Sequence, residues 1–411
     1  MKMAMTNYIN TNNKENSRYV VLSKKYPIYQ EYAQFRSDSV ILIHLHYEYF
    51  WETAISYLER IPSFIDVLVT TSNPKLENRI NSYVAEHSNF KFIKKINRGR
   101  DISSLLVSCR EEILKYKYVC FIHDKKEKNS YLSSDVHNWI ISQFENILGS
   151  SDLIKNIIAL FEKNEKLGIL LSPPIFTDNF SFQFENLWYK NYQNTIKVLE
   201  QIGTPIEVDA CVSPMAVGSV FWGKVEALHQ LFEYEWKYQD FPEEPLPDDG
   251  CISHAIERSF EYIVKYNHYS CKWLYNDEYV MDLLEKQGSA LTAAFSLLDE
   301  KLGINTLRRL LSYSENVQKL NDTYERVYIY GAGICGKRCI KYLRNVPVHV
   351  DGFIQTNVLI DYVEGVPVFS LRNLNITEKD LVVIATSTQY WDEIYNCLEK
   401  HGVYDNNILF F

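Results

Sequence analysis

The chain has 411 residues, 46% of them hydrophobic and 23% charged, with a net charge of -9. That describes a folded protein of two or three domains and excludes a largely disordered or fibrous chain. The acidic balance argues against a mainly electrostatic nucleic-acid binder, while leaving room for a local anion site.

The start, MKMAMTNYINTNNKENSRY, is polar and lacks the apolar core of a signal peptide. No stretch supplies the ~18 uninterrupted apolar residues that a membrane span needs. Eight cysteines form no Cys-x-x-Cys pair, so neither a zinc ribbon nor a disulfide framework is indicated. The economical expectation is a reduced, cytoplasmic protein.

Residues 1–38 read as a loose tail followed by a short helix near 25–35. Strands are predicted at 40–45, 66–71, 90–96 and 118–123, with helices at 50–60, 75–86 and 103–115 between them. Strands alternating with helices imply an α/β fold with a mainly parallel sheet. The middle is less regular: helix 150–164, strand 167–172, helix 188–202, strand 217–222 and helix 226–232. The loop DFPEEPLPDDG precedes a helix at 252–265. Residues 281–325 read as a helical connector between a domain at 39–280 and a smaller one at 326–411. In that smaller unit, RVYIYGAGICGKRCIKYLRN reads as strand, Gly-rich turn and helix. Strands at 349–354 and 381–385 and a helix at 391–400 complete it.

Ligands of open α/β sheets bind at the carboxyl ends of the strands. Strand 66–71 runs into TTSN, which contains Thr70 and Ser72. Strand 90–96 runs into NRGRD, with Asn97, Arg98, Gly99, Arg100 and Asp101. Strand 118–123 runs into HDKKEKN, with His123, Asp124, Lys125 and Lys126. This order resembles the nucleotide-binding half of GT-A-type glycosyltransferases, especially the large inverting family 2. The resemblance implies a mixed, mainly parallel GT-A-like sheet. It also implies a divalent cation, Mg2+ or Mn2+, held on the donor diphosphate by an Asp-x-Asp carboxylate. Here the segment is His-Asp-Lys. Asp124 shares the metal with His123, or Lys125 does part of the neutralising.

A longer set of segments is similar to the rhamnan synthesis protein F family, over residues 38–270. They are HLHYEYFW, NRGRDISSLL, YVCFIHDKKEKN, Trp139 with ILGS, LGILLSPP, VGSVFWGKVEAL and EEPLPDDGCISHAIER. That resemblance implies cell-surface polysaccharide assembly, with dTDP-rhamnose as donor and a lipid-linked glycan as acceptor. It implies peripheral placement on the inner face of the membrane, and leaves oligomeric state open. It puts Gly218 and Trp222 beneath the acceptor and Asp249 or Asp248 as base, with His254 and Arg258 on the following helix. Read alone, Asp248 and Asp249 are also ordinary helix caps. His44 and His46 alternate on one strand and share a face, lining the site or packing in the core.

The second unit carries Gly331, Gly333 and Gly336 in a Gly-x-Gly-x-x-Gly turn between a strand and a helix. Such a turn seats a pyrophosphate on the helix N-terminus, with an acid near the next strand, here Asp351, as ribose partner. Its VHVDGFIQTN, EGVPVF and DLVVIATS segments resemble the small Rossmann-like domains of glycosyltransferases and sugar acyltransferases. Two rivals to an active glycosyltransferase are a non-catalytic nucleotide-sugar-binding scaffold and an NAD-dependent oxidoreductase.

Overall fold

The computed structural model describes residues 17–27, 38–125, 133–173, 187–210, 212–247, 249–302, 324–344, 348–358, 360–403 and 407–411. The chain divides into two compact units, Met1–Gln287 and Gly288–Phe411.

Among its described residues, the first unit is built on eight strands. They are β1 (Tyr19–Leu22), β2 (Ser39–His44), β3 (Asp66–Thr71), β4 (Phe90–Lys94), β5 (Tyr118–His123), β6 (Leu167–Leu171), β7 (Phe221–Lys224) and β8 (Ser270–Asn276). They lie side by side in the order β1-β8-β6-β7-β5-β2-β3-β4. β7 runs antiparallel to β5 and β6, and the other pairings are parallel.

The central strands are apolar on both faces because helices cover both. On β2, Ile41 and Ile43 join one core, with α1 (Trp51–Leu58), α2 (Pro74–Ala85), α4 (Ser133–Leu148) and α5 (Ser151–Lys163). Val40 and Leu42 join the opposite core. That core contains Leu105, Leu106 and residues of α6 (Tyr192–Gln201), α7 (His229–Glu233) and α8 (Ile252–Tyr266).

Local signals explain several boundaries. Asn73 caps α2 by accepting from Lys75 N, and Pro74 fills the first helical position, where its missing N–H costs nothing. Ser150 caps α5 through Leu153 N. The helix expected at 103–115 is instead a π-helical stretch, Ser104–Ser108, followed by the short α3, Arg110–Ile113. Arg18 to Leu22 depart from the expected loose tail, since β1 is paired with β8 from Tyr19↔Trp273 to Leu22↔Asn276. The strand expected at 217–222 forms at Phe221–Lys224 instead. The helix expected near 25–35 falls largely outside the described residues. α9 (Asp277–Leu302) begins within the first unit and crosses into the second.

Among its described residues, the second unit has six strands. They are β9 (Arg326–Tyr330), β10 (Gly352–Gln355), β11 (Tyr362–Val363), β12 (Val366–Ser370), β13 (Asp380–Ile384) and β14 (Ile408–Phe410). Their order is β11-β12-β10-β9-β13-β14, all parallel except β11. On one face the sheet packs against α10 (Ile334–Arg344), through Cys339, Ile340 and Leu343. On the other it packs against α11 (Trp391–Lys400), through Trp391, Ile394 and Leu398. It is therefore a three-layer unit with its own two cores.

Among the described residues, no helix is long and apolar enough to cross a membrane.

Candidate functional site

From β2 the chain steps outward through β3 to β4, then returns to β5 on the other side of β2. Successive connections thus leave in opposite directions between β2 and β5, the topological switch point at whose carboxyl edge open α/β sheets bind their ligands. His44 and His123 terminate these two strands and are partners in the register.

The polar groups expected at this edge are connected. His44 Nδ1 lies 3.0 Å from Thr70 Oγ1. Burial, assisted by the Lys95 charge, pushes the His44 pKa well down, so its ring is neutral. His46 Nδ1 lies 3.1 Å from Ser72 Oγ, which donates to Asn97 Oδ1 at 3.3 Å. One polar chain thus links the ends of β2, β3 and β4. Asn73, the amide of the TTSN segment, joins it by donating from Nδ2 to the His46 carbonyl at 2.8 Å.

Asp124 has a different local task from the one expected. Its Oδ1 accepts from His46 N at 3.0 Å. Its Oδ2 accepts from His46 N at 2.9 Å and from Tyr47 N at 2.7 Å. The carboxylate is buried and clamps the loop after β2. With both oxygens committed to backbone amides, Asp124 does not fit the expected cation. Among the described residues, no cluster of three His, Cys, Asp or Glu side chains is arranged to hold a metal. Lys125 follows with its ammonium 3.6 Å from the centroid of the Trp139 ring. Lys126 lies outside the described residues.

The NRGRD segment forms a left-handed turn, with φ of 74° at Gly99 and 48° at Arg100. Gly99 is required twice over: by its φ, and because a Cβ there would sit 2.7 Å from Phe241. Arg100 has no such freedom and is held in place. Its carbonyl accepts from Lys95 Nζ at 2.7 Å and from Ser103 Oγ at 3.2 Å. Its guanidinium donates to the Pro247 carbonyl at 2.9 Å and the Leu246 carbonyl at 3.3 Å. It also reaches His254 Nε2 at 3.4 Å. Arg100 therefore ties the NRGRD turn to the loop before α8. Lys95 was missed because one lysine near a strand end looks like a solvent residue. Burial drives its pKa down to about 8, against the raising influence of Asp101.

Asp101 points back toward β5, its Oδ2 3.6 Å from His123 Nε2. Burial would raise this carboxyl, but the neighbouring His123 and a hydrogen bond from Ser219 outweigh it and hold the pKa low. The buried Oδ2 has no hydrogen-bond partner.

At the start of α8, Asp249 accepts from Asn191 Nδ2 at 2.6 Å and Lys190 N at 3.0 Å. Those bonds more than offset partial burial and lower its pKa. Asp249 Oδ1 is 3.9 Å from His254 Nδ1. Asp248 is outside the described residues. Cys251 Sγ lies 3.1 Å from His254 Nδ1. Burial opposes ionisation of this thiol, but the His254 contact prevails and its pKa falls.

Trp222 is corrected to a core residue. It is fully buried, and its Nε1 donates to the Ile147 carbonyl at 3.1 Å. Arg258 is likewise internal, paired with Glu257 and donating from Nε to the Leu187 carbonyl at 3.2 Å. Gly218 is held by α8, its N–H donating to Glu257 Oε1 at 2.6 Å. The Glu257 role went unread because its partners are supplied by a distant turn.

In the second unit, Gly331 has φ 109° and ends β9. A Cβ on Gly336 would meet the Gly331 carbonyl oxygen at 1.8 Å, so no side chain fits there. At Gly333 such an atom would meet nothing within 4 Å. Asp351 is corrected as ribose partner. It accepts Val327 N at 2.8 Å, at the amino end of β9 and thus the far edge from the glycine turn. The strand end nearest the turn on that side carries Gln355 and then Thr356, which pairs with Tyr330 Oη at 2.8 Å.

This is a mainly parallel α/β protein with a polar switch-point edge. The model of a known family, rhamnan synthesis protein F, matches residues 2–269. The chain belongs to that family, whose role is in rhamnan synthesis, a branch of polysaccharide biosynthesis. No curated protein matches it.

Proposed function

We propose that the first unit is a glycosyltransferase of cell-surface polysaccharide assembly. It takes a sugar from a nucleoside diphosphate donor, in our reading dTDP-rhamnose, to a lipid-linked glycan hydroxyl with inversion. The observation carrying this reading is the β2/β5 switch edge, where His44, His46, Ser72, Asn97, Arg100, Asp101 and His123 gather in a member of a rhamnan-synthesis family. The donor diphosphate lies against this edge and the acceptor approaches from the α8 side. Asp249, or Asp248, takes the acceptor proton. Asp249 is suited in charge, since its low pKa keeps it ionised at neutral pH. The protein works at the cytoplasmic face of the membrane without spanning it.

Saturation-transfer NMR of the full chain against dTDP, UDP, GDP and NAD tests the donor class. A nucleoside diphosphate signal at the first unit supports it; silence from all three diphosphates overturns it. Sugar transfer retained in the Asp248→Ala/Asp249→Ala variant would remove the base assignment.

A second reading is a non-catalytic binding subunit. It is favoured by the bonds that engage both Asp249 oxygens. It predicts diphosphate binding with no turnover. The glycine turn of the second unit is the proposed seat of another nucleotide. The remote Asp351 weighs against NAD there, and hence against the oxidoreductase reading.

A further inference from the structure

The cations at this edge are not equally available. Arg100 spends its guanidinium on the Leu246 and Pro247 carbonyls, and Lys95 spends its ammonium on the Arg100 carbonyl. Lys125 stands two positions beyond β5 and is exposed. Among the described residues, the carboxylates whose charge reaches it are engaged elsewhere, Glu257 with Arg258 and Asp101 with His123. Its ammonium rests instead on the Trp139 ring, 3.6 Å from the centroid. An indole face holds a flexible cation in place without neutralising it. The N–H donors of Lys125 that turn away from the ring are thus left for a ligand.

Trp139 supplies a second, independent sign. The residue is only 7% exposed, and its Nε1–H is buried with no hydrogen-bond partner. A buried tryptophan N–H usually finds an acceptor, and one left without carries a cost that an incoming oxygen would relieve. A Cβ on Gly218 would lie 3.2 Å from Trp139 Cζ2, which one ring carbon separates from Nε1. Gly218 therefore keeps a side chain off the N–H edge of the indole.

The carboxylates of this edge do not fit a metal: Asp124 gives both oxygens to the His46 and Tyr47 amides, and Asp101 is paired with His123. We infer that Lys125 Nζ and the Trp139 N–H are the diphosphate's partners in this chain, and that the donor binds through them without a divalent cation. The inference rests on the donor-site reading above for the identity of its ligand. As the acceptor oxygen bonds to the anomeric carbon, the bond from that carbon to the diphosphate breaks. Its electron pair stays on the diphosphate oxygen, and the acceptor proton goes to Asp249 or Asp248. Lys125 stays protonated and, already in position, stabilises the charge that develops.

The test is nitrogen–proton NMR of the full chain labelled at its seven tryptophans, in EDTA, titrated with dTDP and separately with inorganic pyrophosphate. Trp139→Phe assigns the Trp139 indole signal. In the wild type both titrants should move that signal, and replacing EDTA with excess Mg2+ should leave the dTDP affinity unchanged. Lys125→Met should weaken dTDP binding about tenfold or more, with an unchanged melting temperature, and Lys125→Arg should restore most of the loss. Trp139→Phe, which keeps a ring beneath the ammonium, should weaken it about threefold to tenfold. The inference is overturned, with the donor reading intact, by dTDP that binds only with Mg2+. Wild-type dTDP affinity in Lys125→Met, or a Trp139 signal that dTDP does not move, overturns it equally. If no nucleoside diphosphate binds, the donor reading fails and pyrophosphate decides the anion site. A Trp139 shift that Lys125→Met abolishes supports that site, and no shift refutes it.

Discussion

At the scale of single residues, the edge depends on side chains that hold backbone. Arg100 occupies a left-handed conformation, which costs a non-glycine residue about 1–2 kcal/mol. Arg100→Gly and Arg100→Ala both lose the guanidinium bridge, but only alanine keeps the conformational cost. Chemical denaturation should therefore find the alanine variant less stable by about 1 kcal/mol. Lys95 offers a pH test. Its folded pKa is depressed to about 8 from 10.5, so between those values the unfolded chain binds the extra proton. The lysine's contribution to stability thus rises with pH across that window, by up to roughly 3 kcal/mol. Lys95→Met should lack the slope, and the stability gap between wild type and variant should shift by that amount in favour of wild type. Residues of this sort are partly legible. His44, Ser72, Asn97, Arg100 and Asp101 announce themselves by lying at strand ends. The commitment of Asp124 to His46 and Tyr47 does not, because those amides approach from a loop 77 and 78 positions away.

At the scale of elements, α8 is the organiser. Glu257 and Glu261 lie one turn apart on the helix, and both accept from the 215–219 segment. They draw that segment onto the helix and fix the approach to β7. Glu257→Gln strips the buried Arg258 of its counter-charge and should cost about 3 kcal/mol in urea denaturation. Pairing it with Arg258→Met should recover a substantial part of that loss, since no unpaired charge then remains. The helix itself was readable from its apolar spacing, and so were β3, β5 and α11, with bounds matching those expected. α4, β1 and β8 were not. β8 (SCKWLYN) carries a lysine and abuts α9 without a turn signal, so only its neighbours in the sheet make it a strand. The 103–115 helix had the right periodicity, but periodicity does not distinguish an α-turn from the wider turns of Ser104–Ser108.

At the scale of the molecule, each unit has cores of its own, and the family match ends at residue 269, inside the first. A chain ending at Gln287 should fold by itself and bind dTDP with the affinity of the full protein. Calorimetry on the two forms checks this. A tenfold weaker dTDP affinity in a folded short form would show that the second unit completes the site. The α/β class follows from strand–helix alternation alone, and so does the gathering of the polar strand ends at one edge of the sheet. The partnership of β1 with β8 does not, since nothing in YVVL names a partner so remote.

That partnership bears on how the protein is made. β1 emerges from the ribosome well before its neighbour β8, which is synthesised about 250 residues later, at 5–20 residues per second roughly 12–50 s. Throughout that interval YVVL lacks its partner strand. In the finished fold it remains an edge, with Tyr19 and Val21 still exposed. The first unit therefore closes its sheet last at its earliest strand, and its window of vulnerability to wrong partners is set by translation speed.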